Sequence, residues 1–370
     1  MISARFAPTE NQTFQRKRKR FLYPLQPRRR PMKNFKAFEP VTMADIAKLA
    51  SVHVSTVSRA LQEPQKDTFN PTTLRIRGLA DELSFQPDAT AARLRTGRSQ
   101  IIGVTVPTLT DPVQATAYEG IDQGAVSSGY TTMVVMSANL ERRSHHRADN
   151  LIRSRVDGIV IQDTFENDLL PEYLQKRQIP YLLSLRKREE DLYVAIDDLA
   201  GGRMAAEHLS AAGHVDVAVI SPDTTVSTGR DRVQGFIDGM ADHGVHVDSS
   251  RIVAAGFDML SGQRAAEVVL TWSRLPTAIF ISNDLTAVGA MFSFRAAGID
   301  VGRDLALIGY NDIDMAQHLP VPLSTIASPL RTLGIQSAKT LLNLIDGCSP
   351  TSVDLVPHLV ARESTLRWQR

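Results

Sequence analysis

In the stretch HVSTVSRAL, residues 53–61, Val57 and Leu61 fall on one side of a helical wheel. Val54, Ser55, Ser58 and Arg59 fall on the other. Short hydroxyls approach a phosphate closely, and a guanidinium pairs with phosphate or with the acceptor edge of guanine. Such a row suits binding to a polyanion rather than breaking bonds. The chain holds no G-x-S-x-G, G-x-G-x-x-G, P-loop or H-E-x-x-H motif, and its histidines show no metal-ligand spacing. We therefore expect no enzyme, no cofactor and no metal.

A short helix must carry this row, and the flanking residues specify one. Thr42 and Asp45 have capping-box spacing, and Ile46, Ala47, Leu49 and Ala50 supply an apolar face behind them. A tight turn at Ala50–Val52 leads into the second helix. Asn70 as N-cap and Pro71 at the first helical position open a third, whose stripe is Ile76, Leu79, Ala80 and Leu83. Two short helices joined by a tight turn form a helix-turn-helix, whose second helix enters the major groove. By pattern alone, a DNA reader and an ordinary amphipathic helix pair both remain open.

Charge favours the first. Residues 1–99 carry 19 Lys and Arg against 8 Asp and Glu, whereas residues 100–370 carry 23 against 32. A basic head on an acidic body points the head towards a polyanion. Residues 1–41, with RKRKR and PRRRP, read as a basic, disordered extension. Residues 85–99 read as a linker with one short helix. From residue 101 apolar β-rich runs alternate with helical segments: IIGVTVP, TTMVVMS, VDGIVIQ, IPYLLSL, VDVAVIS, TAIFIS and LALIGY. That alternation predicts parallel sheets covered on both faces, and some 270 residues suit two doubly wound lobes. The single cysteine, Cys348, fits a reducing compartment, and no apolar run is long enough to span a membrane. The basic N-terminus lacks the apolar core of a secretory signal, so a cytoplasmic protein is expected.

The residues themselves carry a more specific likeness. TMADIAKLASVHVSTVSRAL resembles the headpiece of the lactose-repressor (LacI/GalR) family through Thr42, Asp45, Ile46, Ala47, Ala50, Val52, Thr56, Val57, Ser58, Arg59 and Leu61. FQPDATAARLRTGRS is similar to the family hinge helix. AIDDLAGGRMAAEHLSAAGHVDVAVIS, RVQGF, TAIFISNDLTAVGA, IGYND, PLSTI and RESTLRW follow in family order, so the likeness covers about residues 42–370.

The resemblance implies an α/β protein: a three-helix helix-turn-helix headpiece and hinge helix, then a two-lobed periplasmic-binding-protein-like body of doubly wound parallel sheets. Its divisions would be 42–84 for DNA binding, 85–99 for the hinge and 100–370 for effector binding and dimerisation. Within the body, one lobe would hold about 100–198 and 328–348, the other about 199–327 and 349–370. The implied function is transcriptional regulation, chiefly repression, at a near-palindromic double-stranded operator, with a small-molecule effector between the lobes. The chain ends soon after RESTLRW without leucine heptads, which predicts a homodimer. A periplasmic solute receptor would have no use for residues 42–99, whereas activation at some promoters is compatible with the same pattern.

Site residues follow from the same likeness. Thr42, Thr56, Ser58 and Arg59 match positions that touch DNA; Val54 and Ser55 occupy the two variable positions that choose the sequence. Leu94 matches the hinge leucine that wedges into the minor groove, and Ala91 the small residue at the hinge crossing. Arg232, Asn283 and Asn311 match ligand positions, with Phe257 as a stacking wall; Asp111 and Arg186 are further candidates. Ser51 replaces the turn glycine, His53 the usual capping serine and Asp88 the hinge asparagine. Asn311 stands where many sugar-responsive members carry aspartate, which leaves room for an anionic effector such as a sugar acid or phosphate.

Overall fold

The computed structural model describes residues 41–62, 70–85, 97–137, 145–222 and 225–366. The basic extension, most of the loop after residue 62 and the hinge positions Ala91 and Leu94 lie outside the described residues. Two compact units divide near residue 88.

The first unit holds α1 (Met43–Leu49), α2 (Val54–Gln62) and α3 (Pro71–Glu82). Ile46, Ala47, Ala50, Val57, Ala60, Ile76 and Ala80 form its small core. The expected capping box is present: Asp45 N–H donates to Thr42 Oγ1, and Thr42 N–H donates to the Asp45 carboxylate at 2.9 Å. Asn70 caps α3 by accepting from Thr73 N–H at 2.8 Å. Ser51, in the α1–α2 turn, has φ of 51°, the left-handed region that a glycine would enter without strain. Two arginines of α3 tie the unit together, Arg75 donating to Ala50 O and Arg77 Nε to Ala60 O at 3.1 Å. They satisfy carbonyls that α1 and α2 cannot bond internally.

The second unit is built on two six-stranded sheets. The first contains β1 (Ile101–Val106), β2 (Thr131–Met136), β3 (Gly158–Ile161), β4 (Tyr181–Leu185), β5 (Tyr193–Ile196) and β11 (Val353–Leu355), ordered β11-β5-β4-β3-β1-β2 and all parallel. The second contains β6 (Val217–Pro222), β7 (Ile252–Ala255), β8 (Ala278–Ile281), β9 (Ala306–Asn311), β10 (Ser324–Ala327) and β12 (His358–Val360). Its order is β12-β10-β9-β8-β6-β7, with only β12 antiparallel. The central strands are buried throughout, as parallel strands between helical layers must be, and this explains their unbroken apolar runs.

The chain passes between sheets after β5, after β10 and after β11. The last passage corrects one expected boundary: residues 349–370 do not all belong to the second lobe. Val353–Leu355 extends the first sheet beside Tyr193–Ile196, and only from His358 does the chain rejoin the second. In the first lobe, helix Pro112–Val126 crosses helix Leu330–Ile345 with backbones nearly touching. A Cβ on Gly334 would stand 2.1 Å from Ala117 O, so only glycine permits that crossing.

Candidate functional site

Two places gather chemistry, one in each unit. On the first unit, Val57 is fully buried and Ala60 nearly so, which turns the opposite face of α2 outward. Val54 is 40% exposed, Ser55 and Arg59 are exposed, and Thr56 and Ser58 are half-buried. The face therefore presents an apolar surface and a hydroxyl in its first turn, the part of a reading helix that meets base edges, and a guanidinium in its last turn. Thr42 is exposed and caps α1, its hydroxyl donating to the Asp45 carboxylate at 2.6 Å.

In the second unit the sites follow the C-terminal ends of the parallel strands, where the crevice of a doubly wound sheet lies. Asp111 follows β1, Arg186 follows β4, Phe257 follows β7, Asn283 follows β8 and Asn311 ends β9. Arg232 comes from helix Ser227–Asp242, the helix after β6. Backbone strain sits where two of them project: Leu185, just before Arg186, has φ of 68°, and Asn311 has φ of 107°.

Arg232 is the hub. Nε donates to Asp198 at 2.8 Å, Nη1 to Ser282 O at 2.7 Å and Nη2 to Asn311 Oδ1 at 3.4 Å. Its guanidinium lies 3.7 Å from the ring centroid of Tyr310. A guanidinium has five N–H donors, so three bonds to described residues leave two. Burial pushes the Asp198 carboxyl up, with Arg232 pulling against it, and burial raises the Tyr310 hydroxyl well above its ordinary value. Asn311 Oδ1 also accepts from Ser328 Oγ at 3.2 Å.

The remaining expected residues divide in role. Asn283 caps helix Asp284–Ala296 by accepting from Thr286 N–H at 3.2 Å, so its oxygen is spent while no described bond uses its Nδ2. The neighbouring Asp284 is structural: it accepts from Ile313 N–H at 3.0 Å and Thr325 Oγ1 at 2.8 Å, holding the loop after β9. Asp111 caps helix Pro112–Val126 through Val113 N–H at 2.9 Å, and burial pushes its carboxyl up despite the nearby charges of Arg186 and Arg232. Arg186 donates to Thr164 O at 2.8 Å, with its guanidinium 5.6 Å from the Phe257 ring centroid. The lobes touch beside these groups, where Lys187 N–H donates to Ser227 Oγ and Glu166 N–H to Thr225 O, both at 3.0 Å.

Sequence reading missed several residues. Asp198, the partner of Arg232, was visible only as the second acid of IDD after a strand. Thr228 lies one helical turn before Arg232 on the same face, and its buried hydroxyl has no hydrogen-bond partner among the described residues. Gln162, just beyond β3, is buried with both amide atoms equally unpartnered there. Arg147 pairs with Asp163 at 3.1 Å and with Asp168, a buried network no local motif announces.

Comparisons with known proteins match segments of both units. Residues 42–88 match the family described as bacterial regulatory proteins, lacI family, and residues 206–365 match the periplasmic binding protein-like domain. The probable HTH-type transcriptional repressor ExuR of Bacillus subtilis (strain 168) is 30% identical over 313 residues, 82% of this chain and 92% of its own. Among solved structures, the Lac repressor dimer bound to operator and the anti-inducer ONPF superposes with a TM-score of 0.79. It is 26% identical over 89% of this chain and all of that one. The transcriptional regulator CelR in complex with cellobiose gives a TM-score of 0.68 at 26% identity, covering 88% and 99%.

Proposed function

Because this chain belongs to the LacI family of bacterial regulatory proteins and is a DNA-binding transcriptional regulator, we propose that it is a homodimeric repressor whose hold on a near-palindromic operator is set by a sugar or sugar acid. Val54, Ser55 and Arg59 read base edges, and Thr56 and Ser58 approach phosphate. Arg232, Asn283 and Asn311 bond ligand hydroxyls, Phe257 covers a ring face, and Arg186 meets a carboxylate or phosphate where the effector carries one. Asp111 closes the opposite wall. In this reading the protein works in the cytoplasm, on the nucleoid, and has no catalytic role. Among the described residues no helix is long and apolar enough to cross a membrane.

One observation carries the effector reading. Arg232 keeps two N–H donors that no described residue takes, one helical turn from the buried Thr228 hydroxyl, and Gln162 just beyond β3 is buried with both amide atoms equally unsatisfied among the described residues. Native proteins rarely leave such atoms unpaired, so a polar ligand is their natural partner. The CelR–cellobiose complex supports a saccharide as the occupant. Dimerisation is supported by an apolar hollow lined by Val288, Met291, Phe292, Leu319, Pro320 and Val321, with Phe292 68% exposed. A second copy would cover it, as an exposed patch of this kind demands.

Calorimetric titration of the purified protein with neutral sugars and matching sugar acids tests the effector, followed by operator-binding assays with each ligand that binds. Binding that Arg232→Met abolishes, coupled to a change in operator affinity of about 5- to 150-fold, is expected. Tight binding with no effect on operator affinity, or binding indifferent to Arg232, would overturn the reading.

A further inference from the structure

We propose that His53 decides what α2 asks of one base, by fixing the Ser55 hydroxyl as a hydrogen-bond acceptor towards the major groove. The inference rests on the DNA-reading role of α2 given above. His53 immediately precedes α2, and its carbonyl accepts from Thr56 N–H at 2.9 Å and Val57 N–H at 3.3 Å, the first bonds of the helix. Ser55 N–H donates to His53 Nδ1 at 3.3 Å, and Ser55 Oγ lies 2.8 Å from the same atom.

A backbone N–H can only donate, so Nδ1 is an unprotonated acceptor and the imidazole carries its proton on Nε2. The contact with Ser55 Oγ then has one possible polarity. The hydroxyl donates to Nδ1, and its single proton is spent on the protein. Only lone pairs remain on Oγ. A serine with a free hydroxyl rotor suits donor and acceptor edges alike. The serine held by His53 does not.

Ser55 is exposed in the first turn of α2, where it meets a base edge. In the major groove the donors are the amino groups of cytosine N4 and adenine N6; guanine and thymine present O6, N7 and O4, all acceptors. The base facing Ser55 is therefore A or C on the contacted strand, and G or T leaves two acceptors opposed. His53 is a positioning residue: it reads no base itself, yet it sets the polarity of the residue that does. The imidazole places one lone pair where both donors of Ser55 reach it.

In vitro selection from random duplex DNA tests this with the full chain as wild type, Ser55→Ala, His53→Ala and His53→Asn. The wild type should enrich a palindrome, and Ser55→Ala should identify the one position per half-site whose bias it removes. That position should carry A or C in the wild type. His53→Ala should relax it towards G and T by about fivefold, the worth of one ordinary hydrogen bond, while leaving the other positions alone. His53→Asn, whose side-chain oxygen can take both donors, should keep the wild-type bias. Wild-type G or T at the position marked by Ser55→Ala overturns the inference even if His53→Ala does not fold. So does an unchanged bias in a folded His53→Ala protein. Failure of the wild type to enrich any palindrome, with each candidate effector or without, would instead remove the DNA-reading premise.

Discussion

Arg232 Nε donates to the Asp198 carboxylate at 2.8 Å, both side chains being almost wholly buried, with the guanidinium stacked over Tyr310. This pair answers why Asn311 can stand where an aspartate was expected. Asp198 already balances the guanidinium, and Asn311 needs only to accept a hydrogen bond from it.

Breaking that pair should be costly, because it strands a buried charge. Arg232→Met leaves Asp198 without its cation and should destabilise the second unit by about 3–5 kcal/mol. The double variant Arg232→Met with Asp198→Leu should recover most of that loss, since apolar replacement of a buried ion pair is often near neutral. Urea unfolding of the three proteins measures both terms, and calorimetry should find no effector binding in either variant.

On the reading helix, Arg59 is exposed and its loss should cost recognition without cost to the fold. Arg59→Ala should weaken specific operator binding by about 1–3 kcal/mol, roughly 5- to 150-fold, while the thermal unfolding midpoint stays unchanged. Fluorescence anisotropy at fixed salt, beside a melting curve, checks this. A lowered midpoint would mean that Arg59 helps hold the headpiece together.

Burial raises the Asp284 carboxyl to about 7 from the ordinary aspartate value of 3.8. Between those values the folded protein keeps a proton that the unfolded chain has released. This group therefore makes stability fall as pH rises through that window, and level off above about pH 7. Asp284→Asn should remove that component, flattening the difference in urea stability between about pH 5 and about pH 7.5. An unaltered pH dependence in the variant would show that Asp284 is ionised in the fold throughout.

Phe292 exposes 68% of its surface beside Val288, Met291 and Leu319. If a second copy covers this face, Phe292→Asp buries an unpaired charge in the interface and should raise the dimer dissociation constant at least about a hundredfold. Sedimentation at low micromolar protein should show the variant as monomer and the wild type as dimer. A dimeric variant would place the interface elsewhere.

The headpiece was legible because its code is local. Capping at Thr42 and Asn70, the inward set Ile46, Val57 and Ile76, and the outward Val54, Ser55 and Arg59 all follow from helical period and cap chemistry within a few residues. The long apolar runs likewise announced the central strands, because a strand buried on both faces must be apolar throughout. Short edge strands carry no such signal. Val353–Leu355 has three residues, and only pairing with Tyr193–Ile196 decides which sheet it joins.

The crevice divides in the same way. That Arg232, Asn283 and Asn311 belong at the strand ends of one sheet was readable through the motifs around them. What each does was not. Asn283 spends its oxygen on a cap, Asp284 serves the fold, and Asp198, far from Arg232 in sequence, supplies its counter-charge. Local periodicity and capping follow from a few consecutive residues, so the sequence by itself determined the helix pair, the doubly wound lobes and the outward face of α2. Hydrogen-bond polarity, ion pairing and backbone strain depend on groups brought together from distant positions. The tertiary structure alone decided which polar atoms of the crevice are spent on the protein and which remain for a ligand.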